Sequence, residues 1–431
     1  MRTVTAHTAL VRGLLDPMLA ELAQATPEHV GIGHPELAGR VIAIDLTAAT
    51  PLPPFENSQM DGYAVRHRDL LEAAEAAEPA DPAAARSASI TLPIGRTVAA
   101  GDAPIPHAPG TASPVMTGAA MPVGADTVIP VERANPAHFT ELSRAGDPEP
   151  SGTVTFASTP PRGEFVRARG SDLPAGATLL TAGTRLTPAR IGLLAGAGVA
   201  EVPVRVRPRV LLVATGDEVA DPGAIRTAGQ IHDANTPLLA ALLTGLGAEV
   251  RTRRTGDTAA ELQHILTAAA ESVDLIVTSG GISAGAYEVV RDALTEYGVE
   301  FAGLALQPGG PQGLGRWAVN GSAVPVLCFP GNPVSSALSA ELFVAPALRG
   351  YAGRPEALPV EQRTLAHELH SPLHKHQVRR GRLDADGRVH VTAPGSHLLA
   401  DLAAAELLAH VPVGVEHLPA GSPIEIWRLH D

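Results

Sequence analysis

Three stretches of the chain decide its fold: VLLVATGDE at residues 210–218, LIVTSGGIS at 275–283 and VPVLCFPGNPVS at 324–335. Each begins as an apolar run, which is typical of a strand buried in a parallel sheet, and ends in a small, polar, glycine-rich turn. Ligand sites in such sheets lie at the carboxyl ends of the strands. Glycine lets the backbone approach a ligand closely, and the N–H groups of the next helix attract anions. The three turns therefore predict one composite site for a phosphorylated or oxyanionic ligand.

Predicted strands and helices alternate around these stretches, from Arg207 to about Gly350. Asn235-Thr236-Pro237 is a typical helix start, with Asn235 as the capping side chain and proline in the first turn. Leucines then recur at helical spacing until Gly247, a typical C-terminal stop. Residues 249–255 predict the next strand and residues 258–270 the next helix. This order predicts a doubly wound parallel sheet.

The rest of the chain predicts an N-terminal helix and several smaller β-rich parts, with short β-like runs between Pro- and Gly-rich turns. We therefore expect an α/β plus β multidomain protein, in which a doubly wound α/β domain is joined by β-rich N-terminal modules and a small, β-barrel-like C-terminal domain. The expected boundaries are 1–28 for the helix, 29–46 and 173–206 for a linker or β subdomain, 47–172 for the β-rich module, 207–350 for the α/β domain and 351–431 for the C-terminal domain.

Composition narrows the class of protein. The 431 residues carry a net charge of −13, which argues against a nucleic-acid binder, since such proteins normally present a basic face. A protein with a net negative charge that binds an anion needs a metal ion, or well-placed Arg side chains and backbone N–H groups, at the binding site. Cys328 is the only cysteine, so no intrachain disulfide is possible. The first residues lack the apolar region of a signal peptide and no apolar run is long enough to span a membrane, so we expect a cytoplasmic protein.

Lysine is almost absent from the chain. Lys375 is the only lysine, and a P-loop requires a lysine after its glycine-rich turn. Lys375 does not follow a glycine-rich turn, so P-loop nucleotide chemistry is excluded.

Acidic residues cluster at the predicted strand ends. Asp217 and Glu218 follow one strand, Asp257 follows another, and Glu288 comes just after the glycine-rich turn at residues 278–283. Carboxylates would repel a phosphate ligand unless Mg²⁺ bridges the two. The cluster therefore predicts a divalent metal with oxygen ligands, or a bound water held for hydrolysis.

A competing interpretation rests on residues 281–285, GISAG, which match the G-x-S-x-G pattern between a strand and a helix. That is the context of the nucleophile of an α/β-hydrolase, here Ser283. A triad in the right chain order would be completed by His390 or His397 and by Asp384 or Asp386. The alternative role for Ser283 is that of a hydroxyl donor to an oxyanion.

Two further groups lie in the predicted C-terminal domain. His370, His374 and His376 fit no standard zinc spacing, so a solvated loop is the favoured interpretation. Arginine forks suit phosphate or oxyanion recognition, and a solvated basic turn is the alternative. The arginines concerned are Arg379, Arg380 and Arg382.

A series of motifs resembles the MoeA and gephyrin E-domain family. SQMDGYA at residues 58–64 resembles the family's S-x-M-D-G-[FY]-A motif. The other landmarks follow in order over nearly the whole chain: AG at 100–101, MTGA at 116–119, RGSD at 169–172, TGDE at 215–218, DAN at 233–235, TSGGIS at 278–283, PGNPVS at 330–335 and GSHL at 395–398.

The resemblance implies a molybdopterin molybdenumtransferase, an enzyme that inserts molybdate into adenylylated molybdopterin and releases AMP with the help of Mg²⁺. It implies an elongated homodimer, with the site between the α/β domain of one subunit and the β-rich module of the other. The N-terminal helix is expected to join the α/β domain. The molybdopterin adenylyltransferase that acts upstream is an expected partner, whereas nucleic acid and membrane are not.

The same resemblance implies roles for individual residues. Gly280, Gly281 and Ser283 would cradle the phosphate of the pterin, and Ser396 would position the ligand or oxyanion. Mg²⁺ or water would be held by Glu218, Asp257 and Glu288. The partner subunit would contribute Asp61, Thr117 and Asp172 to the catalytic set, and the remaining ligand contacts would be Thr215, Gly216, Asp217, Ser279, Pro308, Pro330 and Asn332.

The chain departs from the family pattern at residues 307–311, QPGGP, where many members have K-P-G-K-P. Gln307 and Gly310 therefore replace lysines that the family links to anion binding. Arg316, or the basic run near Lys375, is a candidate to compensate. Glu288 stands where many members have Asp, which keeps the charge and lengthens the reach. The lost lysines favour a second hypothesis, a non-catalytic, gephyrin-like dimeric scaffold or degenerate paralogue.

Overall fold

The chain folds into two units, seen in a computed structural model that describes residues 1–76, 89–256, 258–283, 288–319 and 321–429. The first unit contains Met1–Ile44, Ala182–Pro188 and Glu201–Asp431, and the second contains Asp45–Thr181 and Ala189–Ala200. Among the predicted site residues, Asp257 lies outside the described ranges. No helix in these ranges is both long and apolar enough to cross a membrane.

The secondary structure alternates as the sequence predicts in the middle of the chain and is mostly β elsewhere. The helices are α1 (Val4–Gln24), α2 (His67–Ala76), α3 (Pro188–Gly196), α4 (Asn235–Gly245), α5 (Ala259–Ala269), α6 (Val289–Leu294), α7 (Pro333–Ser339), α8 (Ala345–Tyr351) and α9 (Leu399–Ala403), and a π-helical turn over Ala340–Val344 joins α7 to α8. The strands are β1 (Glu28–Gly31), β2 (Leu46–Thr47), β3 (Asn57–Ser58), β4 (Gly62–Val65), β5 (Ile90–Pro93), β6 (Ser113–Val115), β7 (Thr127–Pro130), β8 (Ala134–Asn135), β9 (Thr153–Phe156), β10 (Val166–Arg167), β11 (Thr178–Leu180), β12 (Glu201–Val204), β13 (Arg209–Thr215), β14 (Val219–Ala220), β15 (Ile231–His232), β16 (Glu249–Thr255), β17 (Leu275–Ser279), β18 (Glu300–Gly303), β19 (Leu306–Gln307), β20 (Pro311–Val319), β21 (Ser322–Phe329), β22 (Val360–Thr364), β23 (Leu369–His370), β24 (His376–Leu383), β25 (Val389–Val391), β26 (Leu407–Val411), β27 (His417–Leu418) and β28 (Pro423–Arg428).

The principal sheet of the first unit has the strand order β16-β13-β17-β21-β20-β18. The pairs β13–β16, β13–β17 and β17–β21 are parallel. The doubly wound α/β prediction is therefore confirmed for four strands. The edge formed by β20 and β18 is antiparallel, an arrangement that is common on otherwise parallel sheets.

Helices cover both faces of this sheet. Successive side chains of β13 point to opposite faces of the sheet. Val210 and Leu212 pack into one core with α1, α4, α7 and α8. Leu211 and Val213 pack into a second core, on the other face, with α5 and α6. Burial of each such side chain contributes roughly 1.5–3 kcal/mol to folding. Because both faces are buried, the central strands read as continuous apolar runs.

The start of α4 differs from the sequence prediction. The capping side chain is Asp233, whose Oδ1 accepts a hydrogen bond from the backbone N–H of Thr236 at 2.9 Å. Asn235 is already inside the helix, and its side chain bonds to two neighbouring turns instead. The predicted stop is confirmed, since Gly247 takes the left-handed conformation with φ 93°.

A second sheet in the first unit has the order β19-β24-β26-β28-β22, with β25 paired to β24. Its core includes Leu407, Ala409, Ile424 and Ile426. Strand β19 comes from the middle of the chain and pairs in parallel with β24, so that Gln307 lies opposite Gln377. The C-terminal sheet thereby fixes the position of the QPGGP segment.

The second unit consists mainly of short antiparallel pairings. In one sheet β4 lies between β6 and β7, and another has the order β5-β9-β8. Tyr63 of the SQMDGYA motif is buried and packs edge-to-face on Phe156. A Cβ at Gly62 would lie 2.2 Å from the carbonyl oxygen of Ile129, so glycine is required where these strands meet.

Candidate functional site

The glycine-rich turns at the ends of β13, β17 and β21 surround a cavity of about 910 Å³ in the first unit. The loops at residues 307–311 and 394–397 complete its wall. The cavity lies at the carboxyl edge of the sheet, where the sequence placed the ligand site. The predicted site residues that line it are Thr215, Gly216, Glu218, Ser279, Gly280, Gly281, Ser283, Glu288, Pro308, Pro330, Asn332 and Ser396.

Two of the turns require glycine. Gly280 has φ 100°, and a Cβ there would lie 2.9 Å from Thr215 Oγ1 and 3.0 Å from the Thr215 carbonyl oxygen. Gly216 has φ 126°, and a Cβ there would meet the Glu218 carboxylate at 2.4 Å. Gly280 therefore packs directly against the end of β13, and the positive φ at both glycines disfavours a side chain at either position.

Asn235 ties two of the turns together, a role that the sequence did not predict. Its Nδ2 donates to Ser279 Oγ at 2.8 Å and to the Gly331 carbonyl oxygen at 2.7 Å. Ser279 Oγ also lies 3.1 Å from Ser336 Oγ. Asn235 Oδ1 and Thr215 Oγ1 are buried without a partner among the described residues. A buried polar atom without a partner is costly, so both atoms are candidates to bind a ligand or water.

Only some of the four carboxylates predicted for the metal site lie at the cavity. Glu218 and Glu288 line the cavity. Asp217 does not, and its carboxylate lies against Gly256, where a Cβ would be 2.6 Å from Oδ1. Asp257, the next residue after Gly256, belongs to the part of the chain that is not described. Carboxylate oxygens at the cavity wall are the ligands that Mg²⁺ prefers, so the donor set fits this ion.

A chain of buried hydrogen bonds reaches the cavity at Gln307. Arg379 Nη1 donates to Gln377 Oε1 at 3.2 Å, and Gln377 Nε2 donates to Gln307 Oε1 at 2.7 Å. The side chains of Gln377 and Arg379 are only 2% and 8% exposed. A guanidinium only donates, so Arg379 fixes the orientation of both amides. The Gln307 amide nitrogen is left as a donor, without a partner among the described residues.

One positively charged residue lies in this part of the cavity lining, and another supports a loop of the lining from behind. Lys375 lines the cavity, and its ammonium group has no ion-pair partner within the described ranges. Arg380 is fully buried, and its Nη2 donates to the carbonyl oxygens of Ala393 at 2.7 Å and Gly395 at 3.0 Å. These bonds hold the loop that carries Ser396. Arg316 is not part of the cavity wall and donates to the Ala323 carbonyl oxygen.

Burial perturbs the two adjacent arginines. Desolvation, together with the neighbouring Arg380 charge, lowers the pKa of Arg379 to about 10, and desolvation also lowers the pKa of Arg380. Arg379 still carries its charge at neutral pH. The solvated-turn interpretation is therefore wrong for Arg379 and Arg380, which lie in strand β24, and only Arg382 is exposed.

The second unit brings together two of its three predicted residues. Asp61 Oδ1 accepts hydrogen bonds from the Thr117 backbone N–H at 2.6 Å and from the Thr117 hydroxyl at 2.8 Å. The backbone bond, and then the hydroxyl bond, hold the pKa of Asp61 below its usual range. Asp172 is exposed, and within the described ranges it makes no hydrogen bond to Asp61 or Thr117.

The hydrolase interpretation finds little support in this geometry. His390 Nε2 bonds to Asp384 Oδ2 at 3.0 Å, but this pair is not part of the wall that carries Ser283. His397 does line the cavity, yet Ser283 has no hydrogen bond to a histidine among the described residues. Residues 284 and 285 of the pentapeptide lie outside those ranges.

Comparison with known proteins gives one consistent result. Three family models match the chain: the MoeA N-terminal region (domain I and II) at residues 2–198, a probable molybdopterin binding domain at 211–350, and the MoeA C-terminal region (domain IV) at 362–429. Molybdopterin molybdenumtransferase 2 of Mycobacterium tuberculosis H37Rv is 38% identical over 444 residues, covering 100% of both chains. Molybdopterin molybdenumtransferase of Synechococcus elongatus is 33% identical, covering 96% of this chain and 98% of the relative. The crystal structure of a molybdopterin biosynthesis MoeA protein from Pyrococcus horikoshii matches with a TM-score of 0.75 at 27% identity, covering 97% and 99% of the two chains.

Proposed function

The chain belongs to the MoeA family of molybdopterin molybdenumtransferases, and on that premise we propose that it inserts molybdate into adenylylated molybdopterin and releases AMP in a Mg²⁺-dependent reaction. As a member of the family, it is a transferase of molybdenum cofactor biosynthesis. The observation that carries the finer proposal is the cavity at the sheet edge, where three glycine-rich turns, the carboxylates of Glu218, Asp233 and Glu288, and a lysine meet.

The glycine-rich turns supply the phosphate-binding part of the site. The Gly281 backbone N–H and the Ser283 hydroxyl cradle the phosphate of the pterin, because turns of this kind present N–H groups without side chains in the way. The Gly280 N–H already donates to the Phe329 carbonyl oxygen at 3.1 Å, so Gly280 contributes through its lack of a side chain. Asn235 holds the turns after β17 and β21 at a fixed separation through its two hydrogen bonds. Preorganised donors stabilise an anion without the cost of reorganisation.

The carboxylates provide the metal site. Glu218 and Glu288 would hold Mg²⁺ at the cavity wall. We expect Asp257 to join them because it follows strand β16 in the sequence. When bound, the ion neutralises the charge that develops as the phosphoanhydride bond is cleaved and AMP leaves. Glu218 and Glu288 also keep the cavity unfavourable for phosphate in the absence of a cation, which makes ligand binding depend on the metal.

Molybdate binding rests on three other residues of the cavity lining, Lys375, Gln307 and Ser396. Lys375 offers a positive charge, and Gln307 offers an amide N–H whose direction Arg379 fixes through Gln377. The lysine that many relatives carry at residue 307 is thus replaced by a neutral amide donor, which is oriented by the charged Arg379 through Gln377. Ser396, held by the loop that Arg380 binds, adds a hydroxyl. These groups recognise a tetrahedral oxyanion through hydrogen bonds and charge.

The assembly that we propose is a cytoplasmic homodimer. Asp61, Thr117 and Asp172 of one subunit would line the cavity of the other, as the family resemblance implies. The upstream adenylyltransferase would deliver the adenylylated pterin to this cavity. Asp61 suits such a role because its two bonds from Thr117 keep it ionised.

A non-catalytic scaffold is the second candidate. Gly310, which replaces a family lysine and has no side chain, is the observation that favours it. Lys375 and the Gln307 donor at the same cavity argue against it.

The decisive experiment measures AMP release from adenylylated molybdopterin by the purified chain with Mg²⁺, with and without molybdate. Molybdate-dependent release is the expected result. Absence of release from a folded protein that still binds the pterin would support the scaffold. The Glu218→Gln variant should lose Mg²⁺-dependent release while keeping the fold, and Asp257→Ala should do the same if that residue joins the site.

A further inference from the structure

A cross-strand histidine pair lies in the C-terminal part of the first unit, apart from the cavity. Strands β23 and β27 pair in antiparallel register, with His370 opposite His417. Their imidazole rings stack with centroids 4.5 Å apart and an interplanar angle of 17°. Both side chains are exposed, so solvent reaches the pair directly.

A carboxylate completes the group. Glu368 Oε2 lies 3.2 Å from His417 Nε2. One ligand atom from each of Glu368, His370 and His417 lies within 4.8 Å of the other two. Around a bound Zn²⁺, donor atoms are about 3.3 Å apart, as follows from metal–ligand distances near 2.0–2.1 Å in a tetrahedral site. Exposed side chains reach that spacing by small rotamer changes, without movement of the two strands.

The donor set selects the class of metal. Two imidazole nitrogens and one carboxylate oxygen suit Zn²⁺, Ni²⁺ and Cu²⁺, whereas Mg²⁺ and Ca²⁺ prefer oxygen ligands alone. Three protein ligands leave a fourth position for water. The group therefore differs in chemistry from the carboxylates of the cavity, and none of its members lines that cavity.

We propose that Glu368, His370 and His417 bind one divalent transition-metal ion, of which Zn²⁺ is the representative. The ion joins β23 to β27, which are only two residues long, and so stabilises this pairing. Stabilisation follows because the folded chain holds the three ligands together and the unfolded chain does not.

Sequence spacing did not reveal this site because His417 lies far along the chain from His370. The two neighbours that the spacing did suggest have other positions. His376 Nε2 lies 3.0 Å from His410 Nδ1, at the pairing of β24 with β26. His374 is exposed in the turn before β24 and is not part of the group, which makes it a matched control.

The test is titration of the full chain, freed of metal by a chelator, with Zn²⁺ in a calorimeter. The wild type is expected to bind one ion at this site and to show a higher Tm with Zn²⁺ than with the chelator. His370→Ala and His417→Ala should each weaken binding by about tenfold or more, because each removes a ligand of a three-ligand site. His374→Ala should bind as the wild type does. Unchanged Tm values in the chelator confirm that the variants fold.

Zn²⁺ bound at the cavity is distinguished by the Glu218→Gln variant, which removes a carboxylate there and leaves the histidine pair intact. The proposal is overturned if the wild type does not bind Zn²⁺, or if His370→Ala and His417→Ala bind it as tightly as His374→Ala does. It is also overturned if Glu218→Gln abolishes the binding. None of these outcomes depends on transferase activity.

Discussion

Asp61 and Thr117 lie far apart in sequence and meet through one carboxylate oxygen. Oδ1 of Asp61 accepts the Thr117 backbone N–H at 2.6 Å and the Thr117 hydroxyl at 2.8 Å. This contact joins the SQMDGYA and MTGA motifs within the second unit. Both motifs are needed to fix the position of this carboxylate, because SQMDGYA supplies the acceptor, Asp61, and MTGA supplies its two donors, both from Thr117.

The Thr117→Val variant should raise the pKa of Asp61, because it removes the hydroxyl donor and keeps the backbone donor. A lowered folded-state pKa stabilises the protein above the unfolded pKa, and that contribution is lost as the pH falls through the folded pKa. The variant should therefore have a lower free energy of unfolding than the wild type at neutral pH, because the ionised Asp61 loses the hydroxyl bond, and this difference should shrink in acid. A carbon NMR titration of Asp61 measures the shift. Thr117→Ser keeps a hydroxyl and should leave the pKa low; equal values in the two variants would contradict this.

The Gly280→Ala variant should distort the turn after β17. Alanine is strained at φ 100°, and its Cβ would lie 2.9 Å from Thr215 Oγ1. Strain of this kind costs about 1–3 kcal/mol, so the free energy of unfolding and pterin binding should both fall. Denaturant unfolding and equilibrium binding measure the two effects.

Gly310→Ala is the matched control within the same cavity wall. A Cβ there would meet its neighbours at ordinary distances, 3.4 Å from the Leu306 carbonyl oxygen and 3.5 Å from that of Leu304. It should unfold as the wild type does. If both variants are equally stable, the turn after β17 is not strained by a side chain.

The apolar strands and their turns were predictable because both properties are local. Continuous apolar runs specify strands buried on two faces, and parallel order brings their ends to one edge. The cavity at the ends of β13, β17 and β21 follows from these facts alone. The antiparallel edge of β20 and β18 did not follow, since their residues alone give no sign of strand direction.

Contacts between distant segments were not predictable from the sequence. The sequence predicts that Asn235 caps helix α4, because asparagine before Thr-Pro fits that role, yet its side chain bonds to Ser279 and Gly331. Similarly, nothing near Arg379 in sequence indicates that Gln377 connects it to Gln307. Such choices between a local and a long-range hydrogen bond are decided by tertiary packing.

Lys375 should contribute the main mobile charge for anion binding at the cavity. The Lys375→Ala variant is expected to raise the apparent Kd for molybdate by about tenfold, the equivalent of 1.4 kcal/mol for one charge-assisted bond. Lys375→Arg keeps the charge and should bind more tightly than the alanine variant. Because Lys375 is the only lysine, reductive methylation with a carbon-13 label gives one side-chain NMR signal that reports binding directly. An unperturbed signal on addition of molybdate would place the anion elsewhere.

Restoring the family lysines should strengthen anion binding. The variant with Gln307→Lys and Gly310→Lys adds two positive charges to the QPGGP segment and is expected to lower the apparent Kd for molybdate. The structure predicts that the two substitutions contribute unequally to this gain in affinity. Gly310 has room for a Cβ at ordinary distances, whereas a lysine at residue 307 would face the Gln377 amide N–H, whose orientation Arg379 fixes.

Gly310→Lys alone should therefore give most of the gain, and Gln307→Lys alone should lower the free energy of unfolding, because a buried donor loses its acceptor. Gly33→Lys adds the same charge at an open position that does not line the cavity, and it controls for net charge. Isothermal titration with molybdate and denaturant unfolding separate the two effects. A gain in Gly33→Lys equal to that in Gly310→Lys would show that overall charge, and not this segment, governs anion binding. If Gln307→Lys is as stable as the wild type, the hydrogen-bond chain from Arg379 does not constrain residue 307.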